Sequence, residues 1–203
     1  MLLVLAGSAV VFRGALGGPT FTDVIVGLVV LGLLGPFEWL VHRLLLHAPN
    51  DSIRMRRLGT GRGHVEHHRD PPELEWLLLR WSDVVVFSAG LAAIAALFTV
   101  PLAVARSTSP SAAFATGWLA AMLALLHYEW VHLLVHTRYR PRSRYYRALA
   151  HHHRLHHYRN EHYWLGVTTR TGDRLFRTMP ERGAVELSST ARTLGIEDVI
   201  LER

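Results

Sequence analysis

The chain contains no cysteine. That absence removes disulfides, iron–sulfur clusters, thiolate zinc sites and thiol nucleophiles together, and leaves the redox compartment unmarked. Lysine is missing as well: all 22 basic residues are arginine, set against 16 acidic ones. No internal repeat and no low-complexity run occurs, and no nucleic-acid-binding motif accompanies the isoelectric point of about 10.4. Half of the residues are apolar, and a greasy chain with a basic bias points to a membrane, not to nucleic acid. A length of 203 residues fits one domain.

The arginines are unevenly placed. They crowd between Arg54 and Arg69 and between Arg138 and Arg177, while Arg13 and Arg106 stand almost alone between apolar stretches. Because arginine-rich short loops stay on the cytoplasmic side, both crowded segments are expected to face the cytoplasm. A helix that crosses about 30 Å of hydrocarbon needs about 20 mostly apolar residues, and three stretches reach that length: 22–46, 83–105 and 112–135. The first has Thr22 and Asp23 as its expected N-cap, carries a Pro36 kink and stops at Ala48 to Asp51. The second and third flank a polar turn, 106–111, and form a helical hairpin. Met1 to Phe12 lacks the basic leader and small-residue cleavage site of a signal peptide and is expected to be retained. It is too short to span upright, and a tilted fourth helix is the alternative. Trp39, Trp76, Trp81 and Trp130 lie near the span borders, where aromatic belts form.

Fourteen histidines are present, and ten fall into four groups: His42 and His47; His64, His67 and His68; His132 and His136; His153, His156 and His157. Helical positions three and four apart share a face, so each of the last three groups converges. His42 and His47, five apart, sit about 140° around an ideal helix and converge only if it distorts or ends between them. Clustered imidazolium ions would repel one another, whereas neutral imidazoles share metal ions and suit zinc, copper, iron or nickel. Six donors is about the octahedral limit, so ten nitrogens imply two ions, most simply with five ligands each. A structural zinc site closes with four ligands and prefers thiolates. Glu38, Glu129, Glu66 and Asp70 flank the groups, where each is placed to accept a ligand's free N–H; Glu66 and Asp70 equally suit the role of balancing nearby arginines. The run His151-His152-His153 leaves His152 as an alternative to His153. His127 and His162, each alone, read as ordinary partly buried or interfacial side chains.

In this order the four groups, with the first and third at the ends of membrane helices, resemble the fatty acid hydroxylase/sterol desaturase superfamily over roughly 38–178. The run from His153 to Thr168, followed by Asp173-Arg174-Leu175-Phe176-Arg177-Thr178, is similar to its C-terminal signature. The resemblance implies a diiron centre on the ten histidines, dioxygen as co-substrate, and hydroxylation or desaturation of a lipid C–H bond. It also implies a separate electron donor, a ferredoxin, cytochrome or reductase, because no cytochrome b5-like domain is fused. Carotenoid hydroxylases share the pattern with a shorter first gap than the sixteen residues between His47 and His64, so fatty-acyl or sphingolipid-like chains are the first expectation, with carotenoid or sterol substrates the alternative. Desaturases of the other membrane family carry three histidine boxes without an in-helix pair such as His132 and His136.

The fold expected is therefore all-α: an integral membrane bundle of three to four transmembrane helices with a histidine-rich cytoplasmic metal-binding cap, in one domain over 1–203 whose residues 181–203 form a short soluble tail. The metals expected are two iron ions, with zinc as a substitute. The competing reading is a non-catalytic metal- or haem-binding membrane protein. Transmembrane haems take single histidines from facing helices, not tight triplets, so the purified protein is expected to show no intense Soret band; one would favour the haem reading.

Overall fold

The computed structural model describes residues 1–48 and 60–195. Arg54, Arg56 and Arg57, the chain stop at 49–51 and the end of the chain from 196 lie outside the described residues. Every element described is helical, with no strand among the described residues. By contacts the chain falls into two compact units, Met1–Leu34 with Leu79–Glu129, and Gly35–Leu78 with Trp130–Arg203.

Three helices have the length and composition to cross a membrane: Phe21–Leu46, Leu74–Ala105 and Pro110–His136. The first comprises α2, Phe21–Val41, and a π-helical turn, His42–Leu46. The second is mostly α5, Trp81–Ala105, and the third is α6. Several of their large apolar residues face outward: Leu28, Leu31, Leu97 and Phe98 are all more than half exposed, an arrangement that lipid rewards and water does not. The N-terminal α1, Leu2–Ala15, has 14 residues, about 21 Å at 1.5 Å per residue. That is short of a hydrocarbon core, so the tilted fourth span has no full-length helix behind it.

Within the first unit, α1 packs through Ala6 and Ala9 on Met122 and its neighbours Trp118, Leu119 and Leu126. Small residues let the helices approach closely, which is how apolar helices associate where no water drives them together. One polar node completes the unit. Asp23 pairs with Arg13 at 3.0 Å and accepts from the Thr20 amide at 2.6 Å and from the Thr116 hydroxyl. Thr20, not Thr22 or Asp23, caps α2: Asp23 is three residues into the helix and reaches back to it, as in a capping box. The helix continues through Pro36, and Pro110 takes the first position of α6, where its missing N–H costs nothing.

The second unit contains the π-turn, α3 (Thr60–Arg69), α4 (Leu74–Leu77), the last turns of α6, α7 (Arg144–Tyr158) and α8 (Thr171–Leu175). Ser143 caps α7 by accepting from the Tyr146 amide. The buried stripe of α7 is Leu149, Ala150, His152, His153, His156 and His157, a helical repeat in which histidine occupies places that leucine fills elsewhere. A hydrophobic layer of Val131, Val135, Trp164, Leu165 and Val167 is buried in the same unit. At Gly172 a Cβ would run into the carbonyl oxygen of Gly35 and into Trp39, so α8 lies on α2 backbone to backbone. Gly172→Ala is expected to destabilise by about 1–3 kcal/mol through overpacking, seen as a drop of several degrees in apparent Tm in detergent. Gly183→Ala, with open space around it, is expected to leave the Tm unchanged.

Candidate metal centre

All ten histidines of the four sequence groups lie in the second unit. The π-turn answers the five-residue spacing. The His47 amide bonds to the His42 carbonyl at 3.0 Å, an i→i+5 bond that widens the helix by one residue and brings both rings together, 4.9 Å between centres. Elsewhere ordinary α-helical spacing suffices: the i,i+4 pairs His64 and His68, His132 and His136, and His153 and His157 have ring centres 4.8, 5.0 and 4.6 Å apart.

The imidazole nitrogens collect into two sets of five, His42, His47, His64, His68 and His156, and His67, His132, His136, His153 and His157, with the ligand atoms of each set within 4.8 Å of one another. Each set is two one-turn pairs plus a single ring. The helix α3 gives a pair to the first set and His67 to the second, and α7 gives a pair to the second and His156 to the first. The sets adjoin, with His68 stacked on His157 at 4.1 Å. Among the described residues no carboxylate enters either set.

A cation fits the arrangement better than hydrogen bonds do. A backbone carbonyl only accepts, so the bonds from His68 Nδ1 to Ala191 O at 2.8 Å and from His156 Nδ1 to Tyr163 O at 2.9 Å place a proton on each Nδ1. In the neutral rings both Nε2 atoms then carry lone pairs, and these face each other at 3.2 Å. Protonation does not relieve the clash. Burial takes His68 down to about 3 against the pull of its Ala191 bond, and burial, followed by neighbouring histidines, holds His47, His64, His67, His153, His156 and His157 far below the ordinary imidazole range. Metal–nitrogen bonds of about 2.0–2.1 Å set adjacent donors about 3 Å apart, and the Nε2 pairs His42 with His64, His64 with His47, and His157 with His153 stand at 3.1, 3.1 and 3.0 Å. Both ring nitrogens of His67 are buried without a hydrogen-bond partner among the described residues, a costly state unless one of them binds a cation.

The fatty acid hydroxylase family model matches residues 27–178. The chain belongs to the fatty acid hydroxylase family, within the fatty acid hydroxylase/sterol desaturase superfamily. It is accordingly a membrane enzyme of hydroxylase or desaturase type, an oxidoreductase from a metal-using family. No curated protein and no solved structure matches it.

In this hydroxylase-family chain the flanking carboxylates do other work than orienting histidines. Glu38 is buried and accepts from the Val167 and Thr168 amides at 2.5 and 2.8 Å and from the Thr168 hydroxyl at 2.5 Å; both its oxygens serve a loop whose amides need acceptors. Glu129 takes the Leu79 amide at 2.9 Å, Glu66 pairs with Arg69 at 3.0 Å, and Asp70 is exposed. The acceptors on ring nitrogens are backbone carbonyls instead: Leu165 for His42 at 2.5 Å, Tyr163 for His156 and Ala191 for His68. Ala191 belongs to the stretch expected to be a short soluble tail.

Asp173, fully buried, was also missed. Its two oxygens accept from the Leu165 amide, the Gly166 amide, the Thr178 hydroxyl and His152 Nε2, at 2.6–2.9 Å. Burial pushes its carboxyl upward, but these donors, His152 first, outweigh it and hold it below the ordinary value. His152 is thereby turned to Asp173 and away from both sets, while His153 points into the second. The single histidines His127 and His162 also stand outside the sets, His162 beside Arg43 at 3.1 Å. His153→Ala is expected to bind less metal than the wild type, whereas His152→Ala keeps the wild-type metal content and lowers the Tm; metal analysis of the purified variants checks both outcomes.

Proposed function

We propose that the protein is a non-haem diiron oxygenase that hydroxylates a C–H bond of a fatty-acyl or sphingolipid-like chain, taking dioxygen and externally supplied electrons. One observation carries this reading: two adjoining sets of five neutral imidazoles in a chain of the fatty acid hydroxylase family. Five nitrogens exceed the four of a closed structural zinc site and fall short of six, which leaves room for a reactant. Imidazole-only sets suit iron, zinc or copper in place of magnesium or calcium, and zinc is the expected inactive substitute. Bound iron would supply the reductive activation of dioxygen that an unactivated C–H bond requires. The overall balance is R–H + O2 + 2e− + 2H+ → R–OH + H2O.

The chain's own residues contribute placement and protonation state. Burial keeps the ligand rings neutral, so that their lone pairs are available near pH 7. The Leu165, Tyr163 and Ala191 carbonyls fix which nitrogen faces inward. The apolar spans admit a substrate that is itself a lipid, and the acyl chain reaches the centre laterally from the bilayer. The exposed arginines Arg138, Arg140, Arg142, Arg144 and Arg147 support a cytoplasmic position for the centre and offer a basic face on which a separate acidic electron carrier docks.

Lipid profiling of cells with and without the protein, carotenoids included, tests the reading. Hydroxylated acyl species are expected with the wild type and not with the His132→Ala/His136→Ala double variant, which is also expected to lose iron. Undiminished hydroxylated lipid from a variant that has lost its iron would sink the proposal, and oxidised carotenoid in place of oxidised acyl lipid would move it to that substrate class.

A further inference from the structure

The two sets of histidines are matched in composition but not in support. In the first, three of five rings donate from Nδ1 to a backbone carbonyl: His42 to Leu165, His156 to Tyr163 and His68 to Ala191. Such a bond fixes the tautomer, orients the ring and raises the basicity of the nitrogen that binds metal. In the second, Nδ1 of His153, Nδ1 of His157 and both nitrogens of His67 are buried without a hydrogen-bond partner among the described residues. Among the described residues, packing is what aims those rings.

The carbonyls that serve the first set come from two segments that are themselves tied down. The loop 163–168 is clamped by Asp173 through the Leu165 and Gly166 amides and by Glu38 through the Val167 and Thr168 amides. The strap 185–192 is held to the end of α7, where Arg159 donates to the Val185 carbonyl and accepts from the Ser188 amide at 2.7 Å, and Glu161 accepts from the Thr190 hydroxyl at 2.5 Å. It is also held to the end of α3, where Arg192 donates to the His68 carbonyl at 3.0 Å and to the Arg69 carbonyl, meeting carbonyls that a helix C-terminus leaves open. The strap therefore bridges two helices that each carry rings of both sets, but the ligand ring it bonds among the described residues, His68 donating to Ala191, belongs to the first set.

We infer that the two metal sites are inequivalent: the site of His42, His47, His64, His68 and His156 is the tighter and fills first, and the strap 185–192 is a positioning element that acts on that site through His68. The inference rests on the two-metal reading above. Outer partners of this kind are worth about 10–100-fold in metal affinity, which sets the separation expected between the sites.

The test is anaerobic titration of the metal-free full chain in detergent with ferrous iron, and with cobalt(II) as a spectroscopic probe. Two phases are expected, the first tighter by about 10–100-fold. His136→Ala is expected to keep the tight phase and lose the weak one, and His47→Ala the reverse. Thr190→Val, which removes the hydroxyl bond to Glu161, is expected to weaken the tight phase by about tenfold or more and leave the weak phase in place, with Thr190→Ser restoring it. Two equal phases, or a Thr190→Val variant that shifts both phases together or neither, would overturn the inference and leave the two-metal reading standing. If Thr190→Val fails to fold, the His136→Ala and His47→Ala pair decides the order of filling. Titration of the wild type with no metal bound would overturn the two-metal reading, and the inference with it.

Discussion

Ten imidazoles gathered inside a protein are tolerable only if their lone pairs face something positive. A neutral ring whose Nδ1 donates to a carbonyl has nothing to donate from Nε2, and here such rings meet nitrogen to nitrogen: His68 against His156 at 3.2 Å. Hydrogen bonding cannot reconcile that pair, and burial prevents protonation from doing so. The short polar helices, the clamped loop and the strap are arranged around this one requirement, with apolar side chains such as Val65, Leu149, Trp164 and Leu165 packed beside the histidines.

The division of labour between the helices follows from helix geometry. A turn of helix can aim two rings four apart at one point, and the third ring of a His-x2-His-His motif, one position from its neighbour, is rotated off toward a second point. Each of α3 and α7 carries this motif, so each serves both sets, once as the pair and once as the single ring. Neither set can be assembled without both helices. Cross-bracing of this kind ties occupancy of the centre to the folding of the whole second unit, as is usual where ligands come from several elements.

The spans and the histidine groups were legible in the sequence because both are patterns of residue type: runs of leucine and valine for the one, spacings of four for the other. What surrounds the histidines was not. Glu38, Glu66, Glu129 and Asp70 looked like the natural orienting groups because only side chains are visible in a sequence, whereas the acceptors proved to be carbonyls, which every residue possesses. Ala191 lies 123 positions from His68, and nothing in its identity signals the contact. Asp173 sat inside the signature run, but its role came into view only with the loop folded back on it. His152 and His153 were equivalent by spacing, and the facing carboxylate separates them. The boundary between the two units was equally hidden, since Gly35 and Trp130 each lie within an unbroken helix.

The π-turn at His42–Leu46 has a consequence for how such centres vary. It absorbs one additional residue within a helix without breaking it, so His-x4-His here does what His-x3-His does at 132 and 136. Insertion or deletion of a single residue between two ligands, ordinarily ruinous to a coordination shell, becomes a change of local helix type. Two chains whose first histidine pairs differ in length by one can therefore hold the same shell, and a spacing rule written for α-helices alone would count them as different.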